Sequence, residues 1–137
     1  MFAEPPEPIE REFIRRGLPY ENDAARAARE LNELGVESIE QIPIEVSGSQ
    51  KEGPALASWC AQHQLRSVVV VSPPDHSRRL RRLLHRSMAG DPTKVMVHST
   101  RYLEFDPDHW WQTRDGRRTE IEELEKLALD VVRHPFW

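Results

Sequence analysis

The sequence has a single cysteine, no long apolar run and no histidines at a metal-binding spacing. Because Cys60 is alone, no disulfide can form within the chain, and nothing indicates an oxidising compartment. No apolar run approaches the ~18 residues of a membrane span. The acidic, proline-rich start "MFAEPPEPIE" lacks the basic and apolar regions of a secretion signal. We therefore expect a cytoplasmic chain without a metal site or a membrane span.

The short motifs of nucleotide-binding and hydrolytic enzymes are also missing: there is no Walker loop, no GxGxxG and no GxSxG. The formal net charge of −4 argues against nucleic acid as the partner, because domains that coat nucleic acid are usually basic throughout. No cofactor can be identified from motifs alone.

What the sequence does contain is an alternation of helical and strand patterns over 137 residues, a length that fits one domain. Residues 1–19 are expected to form an extended or weakly helical lead, and residues 20–137 an α/β domain. Within it, the predicted helices cover 21–34, 54–64, 75–88 and 117–133, and the predicted strands cover 42–46, 67–71 and 93–99.

This order predicts parallel strands joined by right-handed crossovers. The expected fold is a Rossmann-like three-layer sandwich, with a small, mainly parallel sheet of about three strands and helices on both faces. The valine run at 67–71 predicts a fully buried strand. The apolar positions of the last helix predict one buried stripe, formed by Ile121, Leu124, Leu127, Ala128, Val131 and Val132.

The helix at 21–34 has no predicted strand before it, and a three-stranded parallel sheet leaves unpaired edges that natural proteins cover or pair. Three explanations stay open. The chain forms a homodimer through the exposed sheet edge, it is a fragment of a longer coding sequence, or residues 9–16 fold back as cover.

The stretch "VVVVSPPDHSRRLRRLLHRSM", residues 68–88, places five arginines directly after the most apolar segment. In open parallel sheets, ligands bind at the carboxyl ends of the strands, where residues 72–76 lie. A helix that starts there offers free N–H groups and a positive dipole end to an anion. His76 and Arg79 fall on the inward side, one turn apart, so together they predict an anion site.

The competing interpretation is that these arginines form a solvated face or pair with the acidic C-terminal helix. Arg78 and Arg82 point outward on the helical wheel, which favours solvent for both. Asp75 suits a helix N-cap better than a catalytic acid. The buried stripe of this helix is predicted to comprise Leu80, Leu83, Leu84 and Met88.

Two further stretches offer candidate ligand contacts. In "SGSQKE", the pattern favours capping of the next helix by Ser47 or Ser49 at least as much as ligand contact, and Glu52 completes a capping box with Ser49. Trp110 and Trp111 are expected to differ, one packing near the last helix and the other facing the 72–76 turn. The candidate ligand-binding residues are thus Ser49, Glu52, Ser72, Asp75, His76, Arg79, Trp111 and Arg114.

Five stretches together resemble the bacterial YdcF/SanA/ElyC-like family, a domain of unknown function: "LNELGV", "IPIEVSGSQKE", "VVVVSPPDHSRRL", "FDPDHWWQTRDG" and "EELEKLALDVV". The resemblance covers roughly residues 20–133. His76 and Arg79 match the family's His-x-x-Arg, and Glu52 matches its turn glutamate. Ser49 stands where threonine is usual, and the family's opening strand and glycine-rich turn are missing.

The resemblance implies a Rossmann-like fold with a pocket at the strand ends and a role in bacterial cell-envelope maintenance, in relatives that are often membrane-anchored. We expect an anionic small molecule to bind, either phosphate-bearing or nucleotide-like, and an S-adenosyl compound is a further candidate ligand. If the chain is an enzyme, phosphoryl or pyrophosphoryl chemistry fits, with His76 as the catalytic acid or base. The alternative is a non-catalytic interaction module whose arginine-rich helix docks on an acidic partner or nucleic acid.

Overall fold

A computed structural model describes residues 1–45, 48–102 and 105–136 of the chain. The described chain is α/β, as predicted, with five α-helices and two parallel sheets of two strands each. It divides into two compact units, Met1–Trp59 and Cys60–Trp137. The strands predicted at 42–46, 67–71 and 93–99 do not pair as one three-stranded sheet in these residues.

In the first unit, strand β1 (Phe2–Ala3) pairs in parallel with strand β2 (Ile42–Pro43). Helices α1 (Pro8–Arg15) and α2 (Asp23–Glu33) lie between these strands in the chain. A strand therefore does precede the helix predicted at 21–34. Two residues are too few to show the alternation that identifies a strand in sequence. Val46, the predicted end of β2, lies outside the described residues.

Helix α3 (Ser49–Gln62) begins five residues earlier than predicted, so Pro54 lies inside the helix rather than at its start. Proline is tolerated there because only one helical hydrogen bond, to the Gln50 carbonyl, is lost so close to the N-terminus. Leu56 and Cys60 are buried along this helix. Ser47, a predicted cap, lies outside the described residues.

In the second unit, strand β3 (Ser67–Ser72) and strand β4 (Lys94–Ser99) pair in parallel along their whole length. Helix α4 (Pro74–Ser87) connects them and packs against both strands. Its predicted apolar stripe is confirmed, since all four members are buried: Leu80, Leu83, Leu84 and Met88.

Side chains alternate along β3, and only one side of the β3–β4 sheet is covered. Val69 and Met96 lie opposite each other and are each more than half exposed, while Val71 is 65% exposed. The prediction of a fully buried valine strand is therefore wrong for this side, which the described residues leave open. We call it the uncovered face, formed by Val69, Val71, Lys94, Met96 and His98.

A 3₁₀ turn (Trp110–Gln112) leads into helix α5 (Arg114–Arg133), which packs on α4. The half-buried side chains of α5 are mostly polar: Thr119, Glu120, Glu123, Leu127 and Asp130. Of the predicted apolar stripe, only Leu127 is half-buried, so that prediction is wrong for the other members. They lie roughly a third of the helix circumference away from the α4 contact. We call them the exposed stripe: Ile121, Leu124, Ala128, Val131 and Val132.

Among the helices of the described residues, none is both long and apolar enough to cross a lipid bilayer.

Candidate functional site

The turn between β3 and α4 holds the predicted anion residues. Helix α4 starts directly after β3, at the carboxyl end of the strand, as predicted. Pro73 occupies the N-cap position, so Asp75 lies in the first turn and is not the predicted cap. A carboxylate there still favours the helix dipole. Ser72 is buried, and its hydroxyl donates to the Pro73 carbonyl at 3.2 Å.

Arg79 and His76 converge on one carboxylate of α5. Arg79 Nε donates to Glu123 Oε2 at 2.9 Å, and Arg79 Nη2 lies 3.4 Å from Oε1. His76 Nδ1 lies 3.1 Å from Glu123 Oε2. The inward pair therefore does bind an anion in this structure, and that anion is the Glu123 side chain of the same chain.

The histidine ring nitrogen has two contacts that require opposite roles. His76 Nδ1 also lies 2.8 Å from Arg79 Nη2, and a guanidinium can only donate. Toward the Glu123 carboxylate, Nδ1 has to carry the proton, whereas toward Arg79 it has to accept. Only one contact can be a hydrogen bond at a time, so the His76 tautomer decides which partner the ring binds.

A second carboxylate repeats the arrangement two turns further along both helices. Arg82 Nε donates to Asp130 Oδ2 at 3.1 Å, and Arg86 Nη2 donates to Asp130 Oδ1 at 3.0 Å. Arg82 also donates to the His134 carbonyl at the end of α5. Arg82 is therefore half-buried and paired, not solvated as predicted.

These contacts form a ladder between α4 and α5, which we define as Glu123 and Asp130 with Arg79, Arg82 and Arg86. The seven-residue step from Glu123 to Asp130 matches the step from Arg79 to Arg86 in the same chain direction, so the two helices run parallel. The acidic helix is thus the partner of the arginines, as the competing interpretation held.

Both carboxyl groups are only about one tenth exposed. Burial raises the pKa of Glu123, but hydrogen bonds from Arg79, Lys126 and His76 outweigh it and lower the pKa to about 2. Burial likewise raises the pKa of Asp130, and the hydrogen bonds from Arg86 and Arg82 lower it overall. Both carboxylates therefore stay ionised at neutral pH and hold the arginines in place.

A cleft of about 80 Å³ lies beside the Arg79–Glu123 end of this ladder. That volume holds only a few water molecules, whereas small-molecule pockets usually measure ~300–1,000 Å³. The volume therefore excludes a large anion, and the charged side chains on the wall are two arginines and three carboxylates. The polar and aromatic lining includes Asp75, Arg78, Arg79, Trp110, Glu120 and Glu123.

The two tryptophans differ in burial, but Trp110 alone takes both predicted positions, near α5 and at the 72–76 turn. Trp110 is half-buried and lines the cleft together with Pro74 and Leu127. Trp111 is mostly exposed and meets Trp110 edge to face, with ring centroids 5.9 Å apart. Trp110, rather than the predicted Trp111, therefore faces the cleft, and Arg114 is exposed at the start of α5.

Gly116 allows the 3₁₀ turn at Trp110–Gln112 to pack against the first turn of α5. Thr113 is the N-cap, and its hydroxyl accepts from the Gly116 N–H at 3.0 Å. A Cβ atom on Gly116 would overlap the Trp110 carbonyl and would lie 2.7 Å from Thr113 Oγ1. Only glycine allows the turn to approach the helix this closely.

The remaining predicted residues, Ser49 and Glu52, belong to the first unit. Glu52 is half-buried and borders a cavity of about 400 Å³ in that unit, together with Phe2 and Tyr20. It is not part of the cleft beside α4. The side chain of Ser49 lies outside what the structure describes.

Sequence reasoning missed Glu123, Asp130 and Trp110 as members of the site. The acidic C-terminal helix was named as a possible partner of the arginines, but neither carboxylate was singled out; Lys126 Nζ also donates to Glu123 Oε1, at 2.7 Å. The sequence signal that could have identified the two carboxylates is a shared spacing. Arg79 and Arg86 are seven residues apart on one helix, and Glu123 and Asp130 are seven residues apart on another.

Over residues 1–45, 48–102 and 105–136, no cluster of three or more His, Cys, Asp or Glu side chains is arranged to hold a metal ion. No known family model matches the chain, and neither a curated protein nor a solved structure shows significant similarity to it.

Proposed function

We propose that this protein is a non-catalytic interaction module that binds a protein partner through the uncovered face. The observation that supports this most directly is the exposure of Val69, Val71 and Met96 on one side of a parallel sheet. Parallel sheets almost always have both faces covered. Contiguous exposed apolar surface is typical of sites that bind other proteins.

The pairing of His76 and Arg79 and the burial of Cys60 support the same proposal. His76 and Arg79, the best candidates for acid–base and charge-stabilising roles, are engaged by Glu123. The Cys60 thiol is buried, and burial together with the nearby Asp91 raises its pKa, so it is a poor nucleophile. The arginine-rich helix α4 therefore holds α5 in place, and its acidic partner belongs to the same chain.

We infer that β3, α4 and β4 correspond to part of a Rossmann-like sandwich of the YdcF-like type. Parallel pairing through a helical crossover supports this, as does the parallel direction of α4 and α5. In such a sandwich a helix would cover the face that is open here.

Replacing both Val69 and Val71 with threonine tests whether the uncovered face is exposed to solvent in the folded chain. Threonine keeps the branched shape and adds a hydroxyl, which costs little in water and much more when buried. We expect the double variant to change the free energy of unfolding by less than about 0.5 kcal/mol. Val70→Thr, on the covered side of the same strand, is the matched control and should lose roughly 1–2 kcal/mol.

Urea unfolding of dilute protein, followed by circular dichroism, measures both values. A loss in the double variant as large as that of Val70→Thr would mean that the face is buried in the folded chain. The proposed binding surface would then not exist.

A second candidate function, binding of a small anion, is favoured by Arg78. This residue lines the cleft, is exposed and has no ion-pair partner among the residues that the structure describes. Inorganic phosphate is the appropriate probe, because the cleft is too small for a nucleotide. Phosphate is expected to raise the melting temperature of the native chain and of Arg81→Gln, but not of Arg78→Gln. Equal shifts in all three proteins would exclude the cleft as the site.

A further inference from the structure

We propose that the partner is a second copy of this chain, whose exposed stripe on α5 packs on the uncovered face of β3–β4. This inference rests on the proposed function and specifies its partner. It joins the two apolar surfaces that the second unit leaves open.

The dimensions of the two surfaces match. The exposed stripe runs from Ile121 to Val132, which is about 17 Å along a helix that rises ~1.5 Å per residue. Each strand of the uncovered face has six residues and spans about 17 Å at ~3.3 Å per residue. A helix lying on a parallel sheet is also how α4 covers the opposite side, so the contact would complete a helix–sheet–helix sandwich.

The charges of the two surfaces are also complementary. The uncovered face carries Lys94 and His98 and no carboxylate. The exposed stripe is bordered by Glu125, one turn after Ile121 on the solvent side of α5. Neither Lys94 nor Glu125 has an ion-pair partner among the described residues, so each is available to pair across the contact.

Packing of one uncovered face on another is less favourable. It would bring the Lys94 and His98 side chains of both copies to the same contact without a carboxylate to oppose them. It would also leave the exposed stripe of α5 in water. We therefore commit to a contact between unlike surfaces, the sheet of one copy and the helix of the other.

Two variants each remove one of these surfaces. Val71→Glu places an acidic side chain on the uncovered face, opposite His98. Val132→Lys places a basic side chain in the exposed stripe, where lysine is a better helix former than valine and suits the C-terminal end of α5. Leu34→Glu is the matched control, because it makes the same kind of change at an exposed leucine of the first unit.

Light scattering over a dilution series of the purified chain gives the test. The native chain and Leu34→Glu are expected to associate, and Val71→Glu and Val132→Lys to associate at least tenfold more weakly. An equimolar mixture of these two variants should form a one-to-one heterodimer, because Val71→Glu retains a good helix and Val132→Lys retains a good sheet. Circular dichroism confirms folding, and the milder Val71→Thr replaces Val71→Glu if the latter unfolds.

Three outcomes would overturn the inference. The native chain stays monomeric at every concentration, association survives both variants, or the mixture fails to associate although the native chain does. Undiminished association of Val132→Lys, whose sheet is intact, would indicate sheet-to-sheet contact and would likewise overturn the inference. A monomeric native chain whose stability tolerates the Val69→Thr, Val71→Thr double change would leave the interaction module standing with a different partner, so the two proposals fail separately.

Discussion

Replacing Glu123 with glutamine is expected to lower the free energy of unfolding by about 3 kcal/mol at neutral pH, because it removes the ion pair between two largely buried side chains, Glu123 and Arg79. Arg79 Nε and His76 Nδ1 both contact the same oxygen of Glu123, so the neutral amide disturbs two partners at once. Urea unfolding followed by far-ultraviolet circular dichroism measures the change. Glu125→Gln, exposed on the same helix, is the control and should stay within about 0.5 kcal/mol of the native chain.

The pH dependence of stability provides an independent check on this residue. The pKa of Glu123 falls from its ordinary value of 4.5 to about 2 in the folded chain. The ionised carboxylate therefore contributes its full stabilisation above about pH 4.5 and loses it as the pH falls toward 2. The difference in stability between the native chain and Glu123→Gln should shrink over that interval. A constant difference would mean that the loss in the variant has another cause.

Gly116→Ala is expected to destabilise the chain by up to about 2 kcal/mol, although alanine is the better helix former. Helix propensity alone would favour the variant by about 1 kcal/mol. The added methyl, however, overlaps the Trp110 carbonyl and the Thr113 hydroxyl, and forced overlap in a packed site costs about 1–3 kcal/mol. Because the overlap involves backbone, the 3₁₀ turn has to move away from α5.

Thermal unfolding and tryptophan fluorescence measure the two consequences, lower stability and a changed environment of Trp110. Arg114→Ala is the control in the same helical turn, since Arg114 is exposed and its loss should be close to neutral. A Gly116→Ala chain that is more stable than the native one would show that the turn relaxes freely.

Helix α4 was the most predictable part of the fold, because its pattern and its packing agree. Leu80, Leu83 and Leu84 repeat at helical spacing and are all buried under the β3–β4 sheet. The same reasoning on α5 identified the residues that share a face but not what that face contacts. The ion pairs of Glu123 and Asp130 orient α5 with its polar edge on α4. Local periodicity does not encode such long-range pairing.

The site was predictable to the same extent. The helical wheel correctly placed His76 and Arg79 on the inward side of α4, since that depends only on neighbouring residues. Their partner Glu123 is 44 residues beyond Arg79, and no local pattern links them. The wheel also placed Arg82 in solvent, because it counts positions on one helix and takes no account of a second helix packed alongside.

Because Cys60 is buried, the rate at which its thiol is modified can report how often the folded chain opens locally. The thiol has no exposed surface in the folded chain, and its raised pKa keeps it protonated at neutral pH. A thiol-specific reagent can therefore react only during transient openings that expose this part of α3. Since the chain has no other cysteine, the modification rate follows a single site and reads out the frequency of those openings without any engineered label.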